Sequence, residues 1–110
     1  MTDEFDKLFG QAVALHQQGK MAEAVQAYVQ LFTKAPRHSD IYNNLGVALR
    51  SLDKLEAAVA CHKRALVYGL DAGNVYSNLG NSLRELARFD EAEIAHKRAV
   101  ELSEERTSDI

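Results

Sequence analysis

The segment Tyr42-Asn43-Asn44-Leu45-Gly46-Val47-Ala48-Leu49-Arg50-Ser51-Leu52 returns 34 residues later as Tyr76-Ser77-Asn78-Leu79-Gly80-Asn81-Ser82-Leu83-Arg84-Glu85-Leu86. Downstream of each copy the agreement continues, with Ala58, His62, Lys63, Arg64 and Ala65 answered by Ala92, His96, Lys97, Arg98 and Ala99. Self-similarity at one fixed period specifies a stack of small units, none of which buries its apolar face without a neighbour. A fainter copy lies upstream, where Leu8, Ala12, Leu15, Ala24, Tyr28 and Pro36 fall in the same register while Gln11 takes the place of Leu45 and Leu79.

Inside each period the apolar residues recur at helical spacing. Phe5, Leu8, Ala12 and Leu15 define a first helix that Thr2 or Asp3 caps and Gly19-Lys20 breaks. Ala24, Val25, Tyr28, Leu31 and Phe32 define a second that ends near Lys34, before Pro36. Ser39 and Asp40 restart the pattern with Tyr42, Leu45, Gly46, Leu49 and Leu52 on one face. Gly46, without a Cβ, admits a neighbouring helix closely. Asp53, with Glu56 three residues on, reads as the cap of a helix that runs to about Tyr68, where Gly69 offers a left-handed exit. The third unit runs from Asn74 to about Ala87, turns at Arg88, and continues from Phe89 to about Ser103, leaving a frayed tail at 107–110.

The period and its residue slots resemble the tetratricopeptide repeat, whose pattern sets an aromatic residue, Leu-Gly, a later Ala, a second aromatic and a closing Pro at fixed offsets. Tyr42, Leu45, Gly46 and Ala58 fit that pattern, as do Tyr76, Leu79, Gly80 and Ala92. His62 and His96 replace the second aromatic; Leu70 and Glu104 replace the proline. The resemblance covers about residues 5 to 106 and implies an all-α fold, one domain over residues 1–110: three stacked helix-turn-helix hairpins, at about 5–38, 39–72 and 73–106, in a short right-handed α-solenoid. It also implies a concave groove lined by the first helix of each hairpin.

On those helices the expected groove residues are Asp40, Asn43, Asn44, Val47 and Arg50, then Asn74, Ser77, Asn78, Asn81 and Arg84, with Asp6, Phe9, Gly10, Val13 and His16 in the first unit. Asparagine both donates and accepts, so a row of them suits the backbone of an extended peptide. Arg50 and Arg84 add forks suited to carboxylates. Family members that grip acidic chaperone tails use Lys and Asn on the first inner helix, Asn on the second and Lys with Arg on the third. Here the matching places read Asp6 and Gly10, then Asn44, then Asn74 and Asn78, and only Asn44 agrees, which argues against that ligand. The inner asparagines Asn44 and Asn78 are similar instead to the repeat region of O-linked N-acetylglucosamine transferases.

Other signals point away from chemistry. The formal charge of −3 disfavours nucleic acid and anionic membranes as partners. The single Cys61 sits in the slot of Ala27 and Ala95 and reads as a packing residue, and with no leader segment the expected compartment is the cytoplasm. His62 and His96 invite a metal reading across adjacent second helices, but no further ligands complete a shell. Lys63-Arg64 and Lys97-Arg98 read as a solvated outer face. Phosphate loops, nucleophile elbows and paired catalytic carboxylates are absent from the sequence, so neither catalysis nor a cofactor is expected. The expected function is binding of an extended, acidic protein segment. A targeting region of a larger enzyme such as a glycosyltransferase is the alternative, and so is a self-assembling scaffold. No polar cap follows the third unit, so Leu83, Leu86, Ile94 and Val100 are expected to be less covered than their counterparts, leaving a C-terminal end through which copies could associate.

Overall fold

The computed structural model describes residues 3–69 and 73–108, with side chains as far as Glu105. Six helices appear among the described residues: α1 (Asp3–Gln17), α2 (Met21–Leu31), α3 (Ser39–Ser51), α4 (Leu55–Tyr68), α5 (Gly73–Glu85) and α6 (Phe89–Ser108). They pair as three hairpins, and each hairpin packs on the next through α2 with α3 and α4 with α5. No helix among the described residues is long and apolar enough to cross a membrane.

The turn inside every hairpin is built the same way. Gly19, Asp53 and Ala87 occupy one repeat position and all adopt left-handed backbone, with φ of 80°, 61° and 60°. The following amides of Lys20, Lys54 and Arg88 donate back to the carbonyls of Leu15, Leu49 and Leu83 at 2.9 Å, closing each helix as a Schellman turn. Asp53 therefore ends α3 rather than capping α4, whose N-cap is Lys54 without a side-chain bond. Aspartate tolerates both roles, and the left-handed one wins here. Gly69 departs from expectation in the other direction. Its backbone is extended (φ −100°), and the residue is needed because a Cβ would stand 2.8 Å from the Ala65 carbonyl oxygen.

Burial follows the repeat. Ala12, Ala24, Tyr28, Leu31, Ile41, Leu45, Leu49 and Ala58 form the core between the first two hairpins, and Val59, Leu79, Leu83, Ala92 and Ala95 form the core of the last. Gly46 does admit its neighbour closely: a Cβ there would lie 2.6 Å from the His62 ring, and one on Gly80 would lie 2.7 Å from His96. The helix that was expected to stop near Ser103 runs on to Ser108. Thr2, Leu70, Asp109 and Ile110 lie outside the described residues. Of the four residues expected to be poorly covered, Ile94 and Val100 are exposed and Leu86 is half-buried, whereas Leu83 is buried at 2% exposure.

Candidate functional site

The first helices of the hairpins, α1, α3 and α5, carry every residue assigned to the groove, but at three depths. Asp40, Asn74 and Arg84 are exposed; Asn44, Val47, Arg50, Ser77, Asn78 and Asn81 are half-buried; Asn43 is buried. In the first unit Asp6 and Gly10 are exposed, and Phe9, Val13 and His16 are half-buried. A Cβ on Gly10 would meet nothing within 4 Å, so the space beside α1 at this position is open.

Asn43 is a correction to the sequence reading. Its amide oxygen accepts from His62 Nδ1 at 3.1 Å and from Asn78 Nδ2 at 3.2 Å, so it ties α4 and α5 to α3 instead of facing a ligand. Arg50 stays half-exposed, and its Nε donates to Glu85 Oε1 at 2.8 Å, pairing α3 with the end of α5. Arg84 keeps an exposed guanidinium whose recorded partner is Asn81 Oδ1, at 3.4 Å. One level up, the Tyr28 hydroxyl contacts His16 Nδ1 at 3.0 Å and is reached by the Asn44 amide. Burial raises the Tyr28 pKa, with Asn44 opposing, and lowers that of His16.

His62 is the most perturbed group. Burial, with the Arg50 charge nearby, pushes its pKa from 6.5 down to about 4. Its ring packs under Gly46, as that of His96 packs under Gly80, so each histidine fills the second-aromatic slot within its own hairpin. Among the described residues, no group of three or more His, Cys, Asp and Glu is arranged to hold a metal ion.

Sequence reasoning missed Glu85 as the counter-ion, the Tyr28–His16 pair, and the stacking of His38 on Phe5 and Phe9 at ring distances of 5.5 and 5.7 Å. For the Glu85 contact a signal was present, shared with Asn43–Asn78. Asn43–Asn78 and Arg50–Glu85 are both 35 residues apart, one more than the period, so contacts between hairpins recur at that offset.

No curated protein matches the sequence significantly. Among solved structures, MamA (AMB-1) is 26% identical over 93% of this chain and 60% of that chain, with a TM-score of 0.85. The Yersinia enterocolitica type III secretion chaperone SycD, in complex with a peptide of the translocator YopD, is 20% identical over 93% of this chain and 78% of that one, at a TM-score of 0.88. The first TPR of Spaghetti (RPAP3), bound to the HSP90 peptide SRMEEVD, is 22% identical over 93% and 81% of the two chains, at 0.86. The tetratricopeptide repeat family model matches residues 39–67 and 73–106, more than half of the chain. With its repeated hairpins, its shared left-handed turns and this match, the chain belongs to the tetratricopeptide repeat family.

Proposed function

We propose that this chain is a protein-interaction module that holds an extended peptide along the inner faces of α1, α3 and α5 and does no chemistry. The observation that carries this reading is the accessible row of Val47, Asn44, Asn78, Ser77 and Asn81, half-buried side chains at matched positions of successive inner helices. Their amides and hydroxyl supply donors and acceptors at a spacing an extended backbone meets. Two neighbours of the same fold, SycD and Spaghetti, hold peptides in their own structures, which supports the reading for the fold without naming a ligand here. The groove is graded: Phe9, Gly10 and Val13 offer an apolar, open end at α1, and Arg84 offers a cation at α5. An extended segment with an apolar residue at one end and a carboxylate at the other fits that gradient.

Filling the groove tests the proposal. Val47→Glu and Asn81→Glu each place an anion on the floor, the second beside Arg84 where the carboxylate of the segment would sit. Both should abolish capture of a partner by the purified module while the far-UV circular dichroism stays unchanged. Capture that survives both substitutions refutes the groove. The alternative of a targeting region in a larger enzyme such as a glycosyltransferase rests on Asn44 and Asn78. Asn78 donates to Asn43 and Asn44 reaches Tyr28, so under either reading these amides offer a bound chain their remaining donors and acceptors; the module reading needs only the helices described and is the simpler.

A further inference from the structure

The two ends of the stack, compared position by position with its internal interface, are complementary to each other. Between the second and third hairpins, α5 lies on α3 and α4. Val59 and Leu66 pack with Leu79 and Tyr76, Arg50 pairs with Glu85, and Glu56 lies 3.6 Å from Arg88. One period further on, the surface of α5 and α6 carries Glu93, Val100, Arg84 and Asp90 in the places of Val59, Leu66, Arg50 and Glu56. Two periods back, α1 and the turn after it carry Gln11, Leu8, Gln17 and Lys20 in the places of Leu79, Tyr76, Glu85 and Arg88.

The substitutions match across the gap. Where Val59 becomes Glu93, its counterpart Leu79 becomes Gln11, and Val75, buried at 5%, becomes the exposed Lys7. Val100, 56% exposed, would meet Leu8; Arg84 would meet the Gln17 amide; and Asp90 would meet Lys20. Polar termini alone would account for Lys7 and Gln11, but they leave Val100 and the 63% exposed Phe89 without a reason. At the repeat's register a seventh helix would begin at Thr107. α3 and α5 begin at Ser39 and Gly73, whose counterpart is Thr107, and α6 is still helical there.

We infer that a second copy of this chain docks head to tail, its α1 lying on the α5–α6 face as α5 lies on α3 and α4. The contact is heterologous, so it builds open-ended stacks rather than closed dimers. It also runs the inner surface on from Arg84 of one copy to Phe9, Gly10 and Val13 of the next, lengthening the groove. The apolar part of the contact is smaller than in the internal interface, so association is concentration-dependent.

Sedimentation velocity of the whole chain from micromolar to millimolar concentration should show growth beyond a dimer. Val100→Arg should weaken it at least about tenfold through desolvation of the new charge. Gln11→Glu, facing Glu93, and Glu93→Lys, facing Lys7 and Gln11, should each suppress growth alone, and an equimolar mixture of the two should recover growth as alternating stacks, because one contact then pairs opposite charges and the other is the native one. Three results overturn the inference: a monomer at every concentration, a mixture that grows no further than its separate components, or association that responds to Val100→Arg but not to Gln11→Glu. The last would mean that copies meet back to back. None of these substitutions touches Val47 or Asn81, so failure here leaves the groove test standing.

Discussion

His62 couples the stability of the stack to pH. Its side chain has no exposed surface, its Nδ1 donates to Asn43, and its Nε2 has no hydrogen-bond partner among the described residues. Protonation would place a charge in a site closed by Gly46 and already facing the Arg50 field, which is why the pKa falls from 6.5 to about 4. The sign follows from linkage. Above 6.5 neither state binds the proton and stability is complete. Between 6.5 and about 4 the unfolded chain binds a proton that the folded chain refuses, so stability falls with pH. At about pH 4.5 the deficit from this residue comes to about 2.5 kcal/mol, a large share of the about 5–15 kcal/mol that holds a domain together. His16, also lowered by burial, acts in the same direction. Urea titrations at about pH 7.5 and 4.5, for the native chain and for His62→Phe, isolate the effect. Phenylalanine keeps an aromatic ring in the slot, and Asn43 keeps its bond from Asn78. Carboxylates titrate alike in both proteins, so the native chain should lose about 2.5 kcal/mol more than the variant over this range. Parallel losses would show that His62 is protonated as readily in the fold as out of it, and the reasoning would fail.

Two further substitutions probe the shared geometry of the hairpins. Ala87 holds a left-handed conformation that glycine adopts freely at Gly19, so Ala87→Gly should stabilise by about 1 kcal/mol and raise the melting temperature by roughly 4 °C; a lower melting temperature would contradict the strain. Gly46→Ala drives a methyl to 2.6 Å from the buried His62 ring and should cost about 1–3 kcal/mol, outweighing the ~1 kcal/mol gained in helix propensity. Gly80→Ala meets the half-buried His96, which has room to yield, so its cost in thermal melts should be the smaller of the two.

How much of this was legible before the structure depends on whether a feature belongs to one hairpin or to two. Gly46 over His62 and Gly80 over His96 recur because each hairpin repeats the same local packing, and the 34-residue spacing reports that directly. Contacts between hairpins depend on how far one hairpin rotates and slides against the next, and spacing along a single helix does not carry that quantity. Spacing alone therefore puts Asn43 on the groove wall, although Asn78 of α5 donates to it, and gives Arg50 no partner, although Glu85 arrives from the next hairpin. Local ambiguity accounts for other misses. Aspartate suits both a cap and a left-handed turn, and Asp53 was read as the former because Glu56 follows three residues later. Glycine suits both a left-handed exit and a close approach, and Gly69 serves the second. Glu104, Glu105 and Arg106 are good helix formers with neither proline nor glycine among them, so α6 runs past Ser103. The offset of 35 turns this limit into a tool: applied once more, it carries Asn43 to Asn78 and Arg50 to Glu85, but it carries Ser77 and Arg84 past the last residue of the chain. Arg84 therefore keeps an exposed guanidinium where its counterpart Arg50 meets Glu85, and its hydrogen-bond partner among the described residues is Asn81 of its own helix.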